Sequence, residues 1–452
     1  MPGHKRNPYG EMPADFARID VTEVEGTDDL HEPEGILLEA QQHAAKLCHA
    51  DETFFLVGGS TAGILAAISA AIPRGGKVLM ARASHRSAYH AVYLRELHPA
   101  YLYGTILEPF DLCEAITPEE VRRGLEENPD VGAVFLVSPT YEGRLADLRQ
   151  IADMVHERNI PLIVDEAHGA HLGWDPITAP SAMQCGADLA IQSTHKTLPA
   201  PTQTALLHCK GNRIDRSKLR RFLRIYQTSS PSYPLMAGID NSLRVMEEHG
   251  GELLSDLQQR YGIMMTELSS CKNLVFLPVD PARQDLGKLV ISGRGRISGK
   301  EIAGYLREHG IETEMALASY CLAMFTVGDR AEGFRLVTEA LRSLDRKLET
   351  EANQQDAPAA GQILSELFTR ENAPKQRQIP AEGWDGEAEY VPIAEAEGRI
   401  AADFLYLYPP GTPILVPGEE IGRVQLRAMK TCLQLGLEIR GLDGTSGVPV
   451  RM

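Results

Sequence analysis

The chain has 452 residues, 43% hydrophobic and 24% charged. That mixture excludes a disordered protein and is long enough for two or three domains. A formal charge of −17, from 45 Lys and Arg against 62 Asp and Glu, excludes a general nucleic-acid binder, which needs a basic surface. It would favour a cationic substrate by long-range attraction, although solubility is the simpler reading of the charge. Seven cysteines are scattered without a Cys-x-x-Cys pair, which argues against a disulfide framework or structural zinc and for a reducing compartment. No apolar stretch follows Met-Pro-Gly-His-Lys-Arg, and the longest nearly apolar run, Ala62 to Ile72, is too short to span a bilayer. A soluble cytoplasmic protein is expected.

In chain order, residues 1–50 read as an arm with one helix near Pro33–His49. Residues 51–240 alternate short apolar runs with helical stretches. The runs are Phe54–Val57, Val78–Met80, Ala133–Val137, Pro161–Val164, Leu189–Gln192 and Ala205–His208. Helices are expected from Thr61, near Ser87–Leu97 and near Leu145–Arg158. Apolar strands separated by amphipathic helices predict an α/β domain with a mostly parallel sheet buried on both faces. Residues 241–348 read as a smaller α+β domain with strands near Leu274–Pro278 and Lys288–Ile291. Residues 349–390 read as a polar connector with a helix at Gly361–Phe368, and residues 391–452 as a closing unit with strands at Phe404–Tyr408 and Ile414–Val416.

Three segments carry chemistry. Phe54-Phe-Leu-Val-Gly-Gly-Ser-Thr-Ala-Gly63 ends a strand in glycines and opens a helix at Ser60 or Thr61, a phosphate cup or an ordinary cap. Ile163-Val-Asp-Glu-Ala-His-Gly-Ala-His171 delivers Asp165 to a strand end, where α/β sheets place ligands. A buried carboxylate there needs a cation, and a protonated pyridine nitrogen would serve. Asp165, His168 and His171 match no compact zinc spacing. Asp-Glu-Ala-His as a helicase box would need a phosphate loop, and the nearest candidate, Gly293 to Glu301, has the wrong residues in the wrong order. Ile191 to Gln203 places Lys196 in a polar turn with Ser193 and His195 as flanking donors, where a lysine can form imines. Each segment alone has a structural reading. Together, in this order at successive strand ends, they are the groups that pyridoxal 5′-phosphate (PLP) requires. His85, in Ser84-His-Arg-Ser87, could lie flat on the cofactor ring or simply bond its own loop.

At these residues the sequence resembles the bacterial-type Orn/Lys/Arg decarboxylases. The resemblance rests on Pro2-Gly-His-Lys5, Asp20-Val-Thr-Glu23, Gly26-Thr-Asp-Asp-Leu30, Pro33-Glu-Gly35, Gly58-Gly-Ser-Thr61 and His85-Arg-Ser87. It continues through Pro139-Thr-Tyr141, Asp165-Glu-Ala-His168, Ser193-Thr-His-Lys196, Thr228-Ser-Ser-Pro-Ser-Tyr233, Tyr408-Pro-Pro-Gly411 and Val416-Pro-Gly-Glu419. It implies a type I PLP (aspartate aminotransferase) fold, with Lys196 carrying the cofactor, Asp165 on the pyridine nitrogen and His85 stacked on the ring. Ser60, Thr61, Ser193 and His195 would surround the phosphate, and His168 would lie under the cofactor. Thr228 and Ser229 would reach the phosphate of a neighbouring subunit, making a homodimer the active unit. The resemblance is to a short form without the N-terminal wing of longer members, so their ring assemblies are not expected.

The implied reaction is α-decarboxylation of a basic L-amino acid, arginine ahead of lysine and ornithine, with His195 or the freed Lys196 returning a proton to the α-carbon. Glu312, Glu314 and Glu419 are candidates for the substrate's distal cation. An aminotransferase or carbon–sulfur lyase, and a non-catalytic regulatory relative, stand as alternatives.

Overall fold

The computed structural model describes residues 5, 14–174, 176, 178–278, 280, 283–350, 367–408, 411–444 and 447–452. The motif residues Pro2–His4 and Pro409–Pro410, and most of the helix expected at Gly361–Phe368, lie outside them. The chain divides into two compact units: Met1–Pro73, Gly132–Ser138 and Asp147–Ser255 in the first, Arg74–Val131, Pro139–Ala146 and Asp256–Met452 in the second.

The first unit is built on strands whose residues are buried on both faces. Ala133–Val137, Leu162–Asp165 and Leu189–Gln192 run parallel, with Val137 opposite Asp165 and Asp165 opposite Ile191. Ala205–Cys209 joins antiparallel to Leu189–Gln192, and Glu52–Leu56 antiparallel to Ala205–Cys209. Residues 193–204 join Leu189–Gln192 to Ala205–Cys209 with one short helical turn, Thr194–Thr197, and no longer helix of the kind that usually returns a strand in parallel. Glu52–Leu56 presents an outer edge that two glutamines satisfy. Gln41 Oε1 accepts from Phe55 N at 2.9 Å, and Gln227 Oε1 accepts from Val57 N at 2.9 Å. Such cover keeps a sheet edge from pairing with other chains.

The helix Gly59–Ala71 lies low on this sheet because Gly63 has no side chain. A Cβ there would meet Leu56 Cδ1 at 2.6 Å and Ile191 Cγ2 at 3.1 Å. The helix Ile36–Leu47 has no side-chain cap at Gly35. Asp28 supplies one from outside: its carboxylate accepts from the backbone N–H groups of Asp29, Glu34, Gly35 and Leu37 at 2.9–3.0 Å. Burial pushes this carboxyl up, but the four N–H donors outweigh it and hold it below its ordinary 3.8. Asp28→Ala is expected to cost about 1–2 kcal/mol in urea unfolding. A depressed carboxyl stabilises above its unfolded pKa and ceases to as pH falls through its folded one. The gap between variant and wild type should therefore close below about pH 4.

In the second unit, Lys77–Ala81 pairs parallel with His98–Leu102. The latter strand, His-Pro-Ala-Tyr-Leu, is only half buried and lacks the apolar run that marks its neighbours in the sequence. Val275–Phe276, Lys288–Ser292, Cys321–Met324 and Met315–Ala316 form an antiparallel sheet. Its core includes residues of the helices Gly299–Glu308 and Ala331–Thr350. Ser298 and Glu301 close a capping box on the first of these. A further core gathers the strands Leu405–Leu407, Pro413–Leu415 and Ile439–Arg440 with the helix Arg423–Gln434. Among the described residues no helix is long and apolar enough to cross a membrane.

Candidate active site

Parallel strands end at one edge of a sheet, so their terminal residues converge there. Asp165 ends its strand, and Ser193 begins one residue beyond the neighbouring strand Leu189–Gln192. Ser193 occupies the cap position of the short helical turn Thr194–Thr197, without a side-chain bond to it. The turn is tied to the next strand by hydroxyls: Thr194 Oγ1 donates to Thr204 Oγ1 at 2.7 Å, and Thr204 Oγ1 to the Pro201 carbonyl at 2.7 Å.

Lys196 Nζ lies 3.1 Å from His168 Nε2. A protonated amine has no acceptor capacity, so with Lys196 charged His168 accepts and carries its own proton on Nδ1. His168 is buried in the turn closed by Gly169 N donating to the Glu166 carbonyl at 2.8 Å. Asp165 is 3% exposed and accepts from Ala167 N at 3.1 Å. Burial pushes its carboxyl above the ordinary 3.8, although the Lys196 charge and the Ala167 N–H pull the other way. It is a buried acid whose charged form burial disfavours. His195 Nδ1 meets the Thr204 carbonyl at 2.8 Å, so that nitrogen carries the hydrogen and Nε2 is the acceptor. Burial holds this imidazole below its ordinary 6.5.

The helix Gly59–Ala71 begins without a side-chain cap at Gly58, so its first N–H groups remain available to an anion. Gly59 has φ +68°, a conformation that glycine adopts without strain. The Ser60 and Ser193 hydroxyls are hydrogen-bonded to each other, which joins the helix start to the lysine turn. Thr61 is exposed at the same start.

Lys196, Asp165, His168, Ser60, Thr61, Ser193 and His195 thus belong to one sheet and its adjoining turns. Thr228 and Ser229 follow the helix Arg216–Tyr226 in the same unit and are exposed, with the Thr228 carbonyl 2.8 Å from His31 Nε2. His85 belongs to the second unit. It caps the helix Arg86–Leu94, its Nδ1 accepting from Ser87 N at 3.3 Å and lying 2.8 Å from Ser87 Oγ. Its exposed ring lies beside Gly411, where a Cβ would come within 3.8 Å of Cδ2.

Of the three acidic candidates for a substrate cation, Glu419 is corrected. It is 1% exposed and sits 3.1 Å from the Arg82 guanidinium, while also accepting from Val416 N at 2.8 Å. The Glu419 carboxylate holds the Arg82 guanidinium charged against its burial, while burial pushes the Glu419 carboxyl up against the Arg82 charge; in either state the 3.1 Å contact commits Glu419 to Arg82. Glu419→Gln is expected to lower stability by about 3 kcal/mol, read from thermal or urea unfolding, because it leaves a buried guanidinium unpaired. Glu312 is largely exposed and pairs with Arg307 at 3.1 Å. Glu314 accepts from the Tyr141 hydroxyl at 2.5 Å.

Sequence reasoning missed Gln192 and Thr204. Gln192 is fully buried and bonded to Glu166 at 2.8 Å. The signal was a glutamine closing an otherwise apolar strand.

The family described as "Orn/Lys/Arg decarboxylase, major domain" matches residues 4–281, and its C-terminal domain matches residues 362–441. Among curated proteins, the chain is 34% identical to the uncharacterized protein YaaO of Bacillus subtilis over 432 residues, covering 94% of this chain and 87% of that one. It is 31% identical to the arginine decarboxylase of Bacillus subtilis over 463 residues, 99% of this chain and 92% of that one. Among solved structures, the Francisella novicida lysine decarboxylase LdcF superposes with a TM-score of 0.86 at 19% identity, covering 100% of this chain and 78% of that one. The α/β architecture with a mostly parallel sheet is therefore the type I fold expected from the sequence. On the span and specificity of these matches, the chain belongs to the Orn/Lys/Arg decarboxylase family.

Proposed function

We propose that this enzyme removes the α-carboxylate of arginine, with PLP held on Lys196. The observation that carries the reading is the pairing, at adjacent strand ends, of the buried Asp165 carboxyl with a lysine amine 3.1 Å from an imidazole. The donor set fits the cofactor. Asp165 would hold the proton on the pyridine nitrogen. The uncapped helix start with Ser60, Thr61, Ser193 and His195 would take the phosphate. His168 would lie under the ring and His85 would stack on it. Bound PLP supplies the electron sink for the bond that breaks.

The chain's own residues do the rest. Lys196 Nζ is the anchoring amine, and His168 Nε2 is the acceptor that orients it. His195, tied through Nδ1 to Thr204, would serve the phosphate, and Lys196, once freed from the cofactor, would return a proton to the α-carbon. Glu314, oriented by Tyr141, is retained as the partner for the distal cation. Thr228 and Ser229, exposed on the first unit, would serve a second copy's phosphate in a homodimer, and the protein would work in the cytoplasm, in polyamine synthesis.

The names of the relatives support arginine over lysine or ornithine. Purified protein with added PLP should release CO₂ and the matching amine from arginine faster than from lysine or ornithine. Release of a keto acid instead would point to an aminotransferase, and no product from any of the three would overturn the reading.

A further inference from the structure

Glu166 starts a buried chain of hydrogen bonds that the reaction above does not use. Its Oε1 accepts from Ala182 N at 2.8 Å and its Oε2 from Gln192 Nε2 at 2.8 Å. Gln192 Oε1 lies 3.0 Å from His208 Nε2, and His208 Nδ1 lies 2.8 Å from the Thr53 hydroxyl. All four side chains are at most 3% exposed. With Glu166 ionised, Gln192 turns its nitrogen to the carboxylate and its oxygen to His208, which then carries its proton on Nε2 and accepts from Thr53 on Nδ1; with Glu166 protonated, the acid can donate to Gln192 and the order reverses. Burial keeps His208 neutral, down to about 3, and pushes Glu166 up to about 8.

Well-packed apolar residues of the same volume often fill such a space at no loss of stability. The worth of the network therefore lies in what it ties together. Glu166 follows Asp165, and its carbonyl closes the turn that presents His168. Gln192 precedes Ser193, at the cap position of the lysine turn. The bond between the two side chains joins the segment bearing Asp165 and His168 to the segment bearing Lys196. We propose that Glu166 is a positioning residue that, through Gln192, fixes Asp165 and His168 against Lys196. This rests on the reading of Lys196 as the PLP-bearing lysine.

The chain can also run backwards. A glutamine at 166 can donate to Gln192 Oε1, Gln192 then donates to His208 Nε2, and His208 donates from Nδ1 to Thr53. Every link survives, so an amide keeps the geometry and a methyl group does not.

The test is PLP affinity by absorbance titration, with melting temperature measured alongside. Glu166→Ala and Gln192→Leu should each weaken PLP binding about tenfold, while Glu166→Gln stays within about twofold of wild type. Thr53→Val, which breaks the far link, should lower the melting temperature and leave PLP affinity unchanged. Should Glu166→Ala fail to fold, Gln192→Leu, similar in volume, decides. Wild-type affinity in the alanine and leucine variants overturns the proposal. So does an equal loss in Glu166→Gln or in Thr53→Val. If the wild type binds no PLP, the cofactor reading falls and takes this proposal with it. If the wild type binds and the variants match it, this proposal alone falls.

Discussion

Lys196→Ala is expected to lower CO₂ release from arginine by at least about ten-thousandfold, the scale of losing a covalent catalytic group. The fold should survive. The lysine turn is held by Ser193, Thr194 and Thr204 through bonds that do not involve the Lys196 side chain. The loss should thus appear without a fall in melting temperature, and an added amine cannot restore it unless it reaches the space Nζ leaves beside His168. Activity above about one hundredth of wild type would remove Lys196 from the chemistry.

The second large effect is at Asp165. Asp165→Asn keeps the shape of the side chain and the acceptor for Ala167 N, 3.1 Å away in the native protein, but removes the anion. In the proposed site Asp165 would hold the proton on the pyridine nitrogen, and without its charge the bound ring would draw electrons poorly. A loss on the order of a thousandfold in kcat is expected, with PLP still attached at Lys196. The split matters: a large fall in kcat with cofactor retained supports an electronic role, whereas cofactor loss alone would make Asp165 an anchor. Because Asn is neutral and buried as well as the acid, stability should not fall. Burial raises the native carboxyl, so its charge costs the apo protein folding free energy as pH rises from its unfolded value through its folded one. Apo Asp165→Asn should accordingly be at least as stable as wild type across that window.

Much of this was legible in the sequence because the proposed catalytic groups sit at ends of fully buried strands. Ala133–Val137 and Leu189–Gln192 fall where their apolar runs predict, and Leu162–Asp165 is displaced by one residue. His98–Leu102 was not legible, since a half-buried strand with a proline carries no apolar run. The antiparallel direction of Ala205–Cys209 was not legible, since its connection, residues 193–204, is long enough for either direction. Glu419 misled because a glutamate after Pro-Gly resembles an exposed turn residue, and only the fold brings Arg82, 337 positions away, into contact. Glu166 and Gln192 were hidden for the same reason: a polar pair 26 residues apart becomes a bond only when two parallel strands align.

The measurement that tests the account most directly is borohydride reduction of the PLP-loaded protein, followed by proteolysis and mass spectrometry of the labelled peptide. The account predicts one phosphopyridoxyl group, on Lys196 in the peptide containing Ser193-Thr-His-Lys196, and none in Lys196→Ala. A label on any other lysine, or no label after loading, would contradict it.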